Sequence, residues 1–168
     1  MISTRKLGGA KSFVAVLVLA GLILSLFVSG APRASSGSRY SFKRTEKCLM
    51  RKINRHRARR DLHRLRRDRQ LGYVGRRHAR RMARGTSVDH HSHLASAITR
   101  WNRLAQNVGR ARSCWRLFRA LWRSPLHRQN ILGRYRFVGV GTKRRKGRLY
   151  AIQIFESRRN PGNHLSYP

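Results

Sequence analysis

Acid is what this chain lacks: its 168 residues hold five Asp and Glu against forty Lys and Arg, for a formal net charge of +35. So few carboxylates cannot neutralise the surface from within, which excludes a charge-balanced exterior and implies attraction for polyanions. The same charge repels itself over a screening length of about 10 Å at 0.1 M salt, opposing compaction. Arginine supplies most of it, and codon bias in a G+C-rich genome enriches arginine too, so charge alone does not name a ligand. Cysteine is scarce as well: Cys48 and Cys114 are the only two, which allows at most one intrachain bridge. There is no internal repeat.

A length of 168 residues suits one domain. Residues 1–30 read as an export signal: Arg5, Lys6 and Lys11 come first, then an apolar run from Phe13 to Val28, then small residues and a proline. The mature part is therefore expected to be extracellular or in the cell envelope. The alternative is an uncleaved anchor formed by residues 13–28. Residues 31–44, rich at first in Ser, Gly, Pro and Arg, read as a flexible linker, 45–158 as the domain, and 159–168 as a tail. In an exported chain, an even cysteine count favours a Cys48–Cys114 disulfide over two buried thiols.

Periodicity sets out the elements. Leu49, Met50 and Ile53 begin a helical face that also carries Asn54 and Arg57. Asp68 suits the N-cap of a second helix with Leu71, Val74, His78 and Met82 on its apolar side and Gly85 as its stop. After a loop containing Gln106, Ser113 can cap a third helix whose stripe is Cys114, Leu117, Phe118, Leu121 and Trp122. Ser124 and Pro125 open a fourth, with His127 in its first turn. Val138, Val140 and Thr142, then Tyr150, Ile152 and Ile154, alternate as strands do, joined by a basic turn at Gly147. Helices followed by an antiparallel hairpin predict an α+β fold.

Several strings in this order carry a resemblance: KINRHRARRDLHRL (Lys52 to Leu65), QLGYVGRRHARRMARG (Gln70 to Gly85), HHSH (His90 to His93), LAQNVG (Leu104 to Gly109), SPLHRQNIL (Ser124 to Leu132), VGVG and YAIQIFE. Taken together, from about Glu46 to Glu156, the chain resembles the CAP superfamily of cysteine-rich secretory, antigen 5 and pathogenesis-related proteins. The resemblance implies a three-layer α/β/α sandwich with a small antiparallel sheet. It also implies a cleft lined by two histidines and two glutamates.

His91, before Ser92, and His127, in SPLHR, match the two histidines. The glutamates have no counterpart: Gln106 stands at the first, and Cys114 to Arg123 holds no acid for the second, while Ala105 and Leu126 replace family glycines. An amide does not titrate near neutral pH and cannot act as a general base, so no catalytic residue is assigned. A zinc site would need His91 and His127 plus His93 or Asp89, the last two sharing a side with His91 on an extended segment. The plainer reading is that the histidines bond to backbone and to Gln106 and hold the cleft loops. Asn54, Arg57, Asn107, Ser124 and Asn130 read as structural, the asparagines 107 and 130 as loop braces. Trp115 and Trp122, in the third helix, read with Trp101 as core rather than as a stacking platform.

The sequence thus predicts an exported, non-enzymatic binding module for anionic envelope polymers or an acidic protein partner, with no cofactor committed. A metal-dependent hydrolase centred on His91 and His127, with zinc the candidate metal, is the alternative. A nucleic-acid binder is suggested by charge alone and opposed by the export signal, the cysteine pair and the lack of a base-reading motif.

Overall fold

The structure, a computed structural model, describes residues 40–157. The leader, most of the linker and the tail lie outside the described residues. All described residues belong to one compact unit.

Among the described residues, five helices and four strands follow in the order α1 (Arg44–Ala58), β1 (Arg66–Arg67), α2 (Arg69–Gly85), α3 (Leu94–Ala97), β2 (Arg103–Ala111), α4 (Cys114–Arg123), α5 (Pro125–Leu132), β3 (Phe137–Arg145) and β4 (Arg148–Ser157). The sheet order is β1-β3-β4-β2. The strands β2, β3 and β4 run antiparallel, while β1 pairs in parallel with β3. The expected small antiparallel sheet is therefore mixed and twice as wide as the hairpin alone. The segment around Gln106 is an edge strand rather than a loop. Neither addition has the alternation of a half-buried strand: β1 is two arginines, and β2 mixes polar and small residues.

Alternation along the hairpin divides the core in two. Val138, Val140, Leu149, Ala151 and Phe155 face α1, α4 and α5, together with Leu49, Ile53, Leu117 and Phe118. Phe137, Tyr150, Ile152 and Ile154 face α2, against Leu71, Val74 and Met82. The result is an α/β/α sandwich. The glycines of VGVG explain how closely α2 lies on β3. A Cβ at Gly141 would fall 1.9 Å from the Gly75 carbonyl carbon, and one at Gly139 would fall 2.2 Å from the Leu71 Cβ. The valines fill one layer and the glycines admit the helix backbone from the other.

Local signals act where the sequence places them. The Asp68 carboxylate accepts from Leu71 N at 2.9 Å and the Ser113 hydroxyl from Arg116 N at 3.2 Å, capping α2 and α4. Ser124 is the N-cap of α5, with Pro125 in its first turn, but its side chain makes no capping bond. Lys146 and Gly147 close the hairpin with positive φ of 43° and 69°, as a two-residue primed turn requires. At the end of α2 the left-handed residue is Thr86, one beyond the expected Gly85. There Arg145 donates to the Ala83 and Arg84 carbonyls, placing a cation at the helix's negative end.

Cys48 and Cys114 form a disulfide between α1 and α4, 66 residues apart in sequence. A loop of that length restricts the unfolded chain by about 4 kcal/mol in the chain-entropy treatment. Of the residues expected to be linker, Phe42 is buried in the core and Tyr40 packs edge-on against it at 5.0 Å. Ordered packing therefore begins before α1.

The buried polar residues do the remaining tying. Glu46 is fully buried. It accepts from the Lys43 backbone, from both prongs of Arg76, and from the Thr142 N–H and hydroxyl, so one carboxylate joins α1, α2 and β3. Asn54 pairs with both backbone groups of Leu65, at 3.0 and 2.8 Å. Arg57, buried like Asn54, donates to the carbonyls of His63, Ile131 and Gly133, closing the end of α5.

Candidate functional site

The histidines are placed by β2. Side chains alternate across this strand, so Gln106 and Asn107 point to opposite faces of the sheet. Gln106 Oε1 accepts from His91 N at 2.9 Å and its Nε2 donates to His91 O at 3.2 Å. An amide can make both bonds at once, whereas a carboxylate could make only the first. On the other face Asn107 donates to the His127 carbonyl at 3.0 Å and to Gln153 at 3.1 Å. Asn130 donates to the Asn107 side chain and to Gln106 O. The two asparagines thus brace α5 against a strand, not a tight turn. Consecutive residues of one edge strand hold the backbones of His91 and His127.

The rings have different neighbours. His91 lies 5.0 Å, centroid to centroid, from His78 of α2, which the sequence reading treated only as part of an apolar face. Both ring nitrogens of buried His78 are used. Arg81 donates to Nδ1 at 2.7 Å, so Nε2 carries the proton and donates to Asp89 O at 2.7 Å. The signal for this was present in the sequence: a histidine at a core position of a helix, three residues before an arginine that can reach it. His91 Nδ1 is buried and has no hydrogen-bond partner among the described residues.

Burial lowers the pKa of His78, and the Arg81 charge lowers it further, against the raising effect of the Asp89 carbonyl bond. Burial also lowers His91, followed by the charges of His78 and Arg81. At His127 burial again comes first, and the charge felt there is that of His90, not His91. All three rings are held toward the neutral form.

A pocket of about 570 Å³ opens beside His91 between α2 and α3. His78, His91 and His93 line it with Arg77, Arg81 and Arg84, and no Asp or Glu and no His127 contributes. Among the described residues no three His, Cys, Asp or Glu side chains converge as a metal site would require. The alternative zinc set, His91 and His127 with His93 or Asp89, is not among such groups. The reason is local: Ser92 and His93 form a turn leading into α3, which breaks the extended alternation, and the Asp89 carboxylate turns to the Ser87 hydroxyl at 2.8 Å. The tryptophans also depart from expectation. Trp101 and Trp115 are 41% and 52% exposed. Only Trp122 packs on the core, beside Phe118 and His56.

This architecture, a mixed sheet between α2 on one side and a disulfide-joined group of helices on the other, is that of an α+β sandwich. The chain belongs to the cysteine-rich secretory protein (CAP) family, whose model matches residues 50–155. No curated protein matches the sequence. Among solved structures it is similar to an outer surface protein of Borrelia burgdorferi, at a TM-score of 0.61 and 18% identity over 71% of this chain and 97% of that one. It is also similar to an extracellular SCP-domain protein of Bacillus anthracis, at 0.58 and 19% over 68% and 40%. A cysteine-rich secretory protein of Staphylococcus aureus gives 0.56 and 20% over 68% and 38%. The chain thus spans about two fifths of the latter two.

Proposed function

We propose that this is an exported, non-enzymatic CAP-domain protein that adheres electrostatically to anionic polymers of the cell envelope. One observation carries the reading. Of the five acids, Glu46, Asp68 and Glu156 are buried, leaving only Asp61 and Asp89 exposed among a surface of arginines. Most of the scarce negative charge lies inside, Glu46 in internal hydrogen bonds and Asp68 in a helix cap, so the exterior is more one-signed than composition alone implies. The basic leader and apolar run at residues 1–30 support export, and no described helix is long and apolar enough to cross a membrane.

The bonding of the histidine pocket supports a bracing role. His78 has no free nitrogen, Gln106 cannot take up a proton, and no carboxylate lines the cavity. The test is retention of the full chain on a heparin or cation-exchange matrix at physiological salt. Elution only at higher salt is expected from counterion release, and passage in the void volume would overturn the proposal.

A further inference from the structure

A second concavity, distinct from the histidine pocket, runs along α1. It encloses about 780 Å³ between that helix and the segment leading into α2. One wall is a row of cations at every fourth position: Lys47, Arg51, Arg55 and the C-cap Arg59. Arg64, Arg66 and Arg67 stand on the other side, and Ala58 is exposed on its floor, with Met50 and Leu65 buried beneath. No Asp, Glu or aromatic residue lines it.

The row is costly to the helix that bears it, because like charges four residues apart oppose helix formation and three such pairs occur in succession. A ligand that neutralises them would remove that opposition. At 1.5 Å rise per residue the cations recur about every 6 Å along some 18 Å of axis. One arginine of the facing wall is already positioned: Arg67 lies over the Phe42 ring at 5.6 Å. A side chain so held loses less freedom on binding. Six of the seven cations are arginine, whose planar fork suits phosphate oxygens in pairs.

We propose that this groove seats a linear polyol phosphate, its phosphates between the two basic walls and its uncharged linkers along the floor beside Ala58. The absence of an aromatic lining argues against nucleic acid, which such grooves hold by stacking bases. The inference rests on the polyanion reading above and locates it.

The experiment measures affinity of the full chain for a synthetic polyol phosphate by titration across a salt series. Three proteins are compared: the wild type, K47Q/R51Q/R55Q, and a control, R116Q/R119Q/R123Q, that removes the same charge from α4. The groove variant is expected to bind about tenfold or more weakly, with a log K against log salt slope shallower by about 2, and the control to lose less than about threefold. The groove variant should melt no lower than wild type, since repulsive pairs are removed. Equal losses in both variants would overturn the groove while leaving the polyanion reading intact. No binding by wild type would overturn both. Tighter, groove-dependent binding to oligothymidylate or to anionic phospholipid vesicles would replace the polyol phosphate by those ligands.

Discussion

Replacing Glu46 by Gln removes one negative charge from a site that solvent does not reach. Glu46 is 0% exposed and Arg76 opposite it is 14% exposed at the side chain, so the pair belongs with buried ion pairs rather than surface ones. The variant keeps the volume but turns an amide N–H₂ toward one Arg76 donor together with either the Thr142 N–H or the Lys43 N–H, each of which needs an acceptor. Breaking a buried pair in this way costs about 3–5 kcal/mol. For a domain of this size that is a fall in melting temperature of roughly 10–20 °C. Urea unfolding followed by circular dichroism, at low and at moderate salt, measures it. The loss should persist in salt, because a buried pair is screened little. The double variant E46L/R76M should recover much of it, since no charge is left unpaired. A loss under about 1 kcal/mol, the range of exposed pairs, would refute the argument that this carboxylate joins three elements.

Three further outcomes follow from the same structure. The wild-type melting temperature should rise between low and moderate salt as surface repulsion is screened, and an unchanged value would contradict that repulsion. Q106A, which leaves both His91 backbone groups without their partner, should lose about 1–3 kcal/mol, and Q106E should lose stability as well because it cannot donate to His91 O. Chemical denaturation reads both, and an unaltered Q106E would show that the donated bond is unimportant. Stability should also fall on acidification. His56, His78, His91 and His127 have folded pKa values below the ordinary 6.5, so the unfolded chain binds more protons, and stability present above about pH 6.5 declines below it. A flat stability profile from about pH 7.5 to 5 would contradict the burial of these rings.

Elements with a strong apolar period were legible in the sequence. The α2 and α4 stripes, the β3–β4 hairpin, the Asp68 and Ser113 caps and the cysteine bridge all follow from spacing and residue chemistry. The strand β1 was not, because two arginines gain strand geometry only from the Phe137 and Val138 backbones beside them. Nor was β2, whose pairing with β4 outweighs a sequence that reads as a loop. At the site, the residues in family-matching positions were visible but their relations were not. The His78–Arg81 bond, the two-pronged grip of Gln106 and the Glu46–Arg76 pair depend on which helix faces which strand, and pattern alone does not fix that. The exposed Trp115 shows the same limit: a tryptophan at the start of an amphipathic helix fell just outside the buried stripe of Leu117, Phe118 and Leu121.

The central claim is that binding resides in the basic exterior and not in the two family-matching histidines, His91 and His127. It is tested most directly by the affinity of wild type and of H91A/H127A for a polyanion, each measured across a salt series. The account predicts matching affinities and steep, matching losses with salt in both proteins. Salt-insensitive binding, or binding abolished by the histidine substitutions in a protein that still folds, would contradict it.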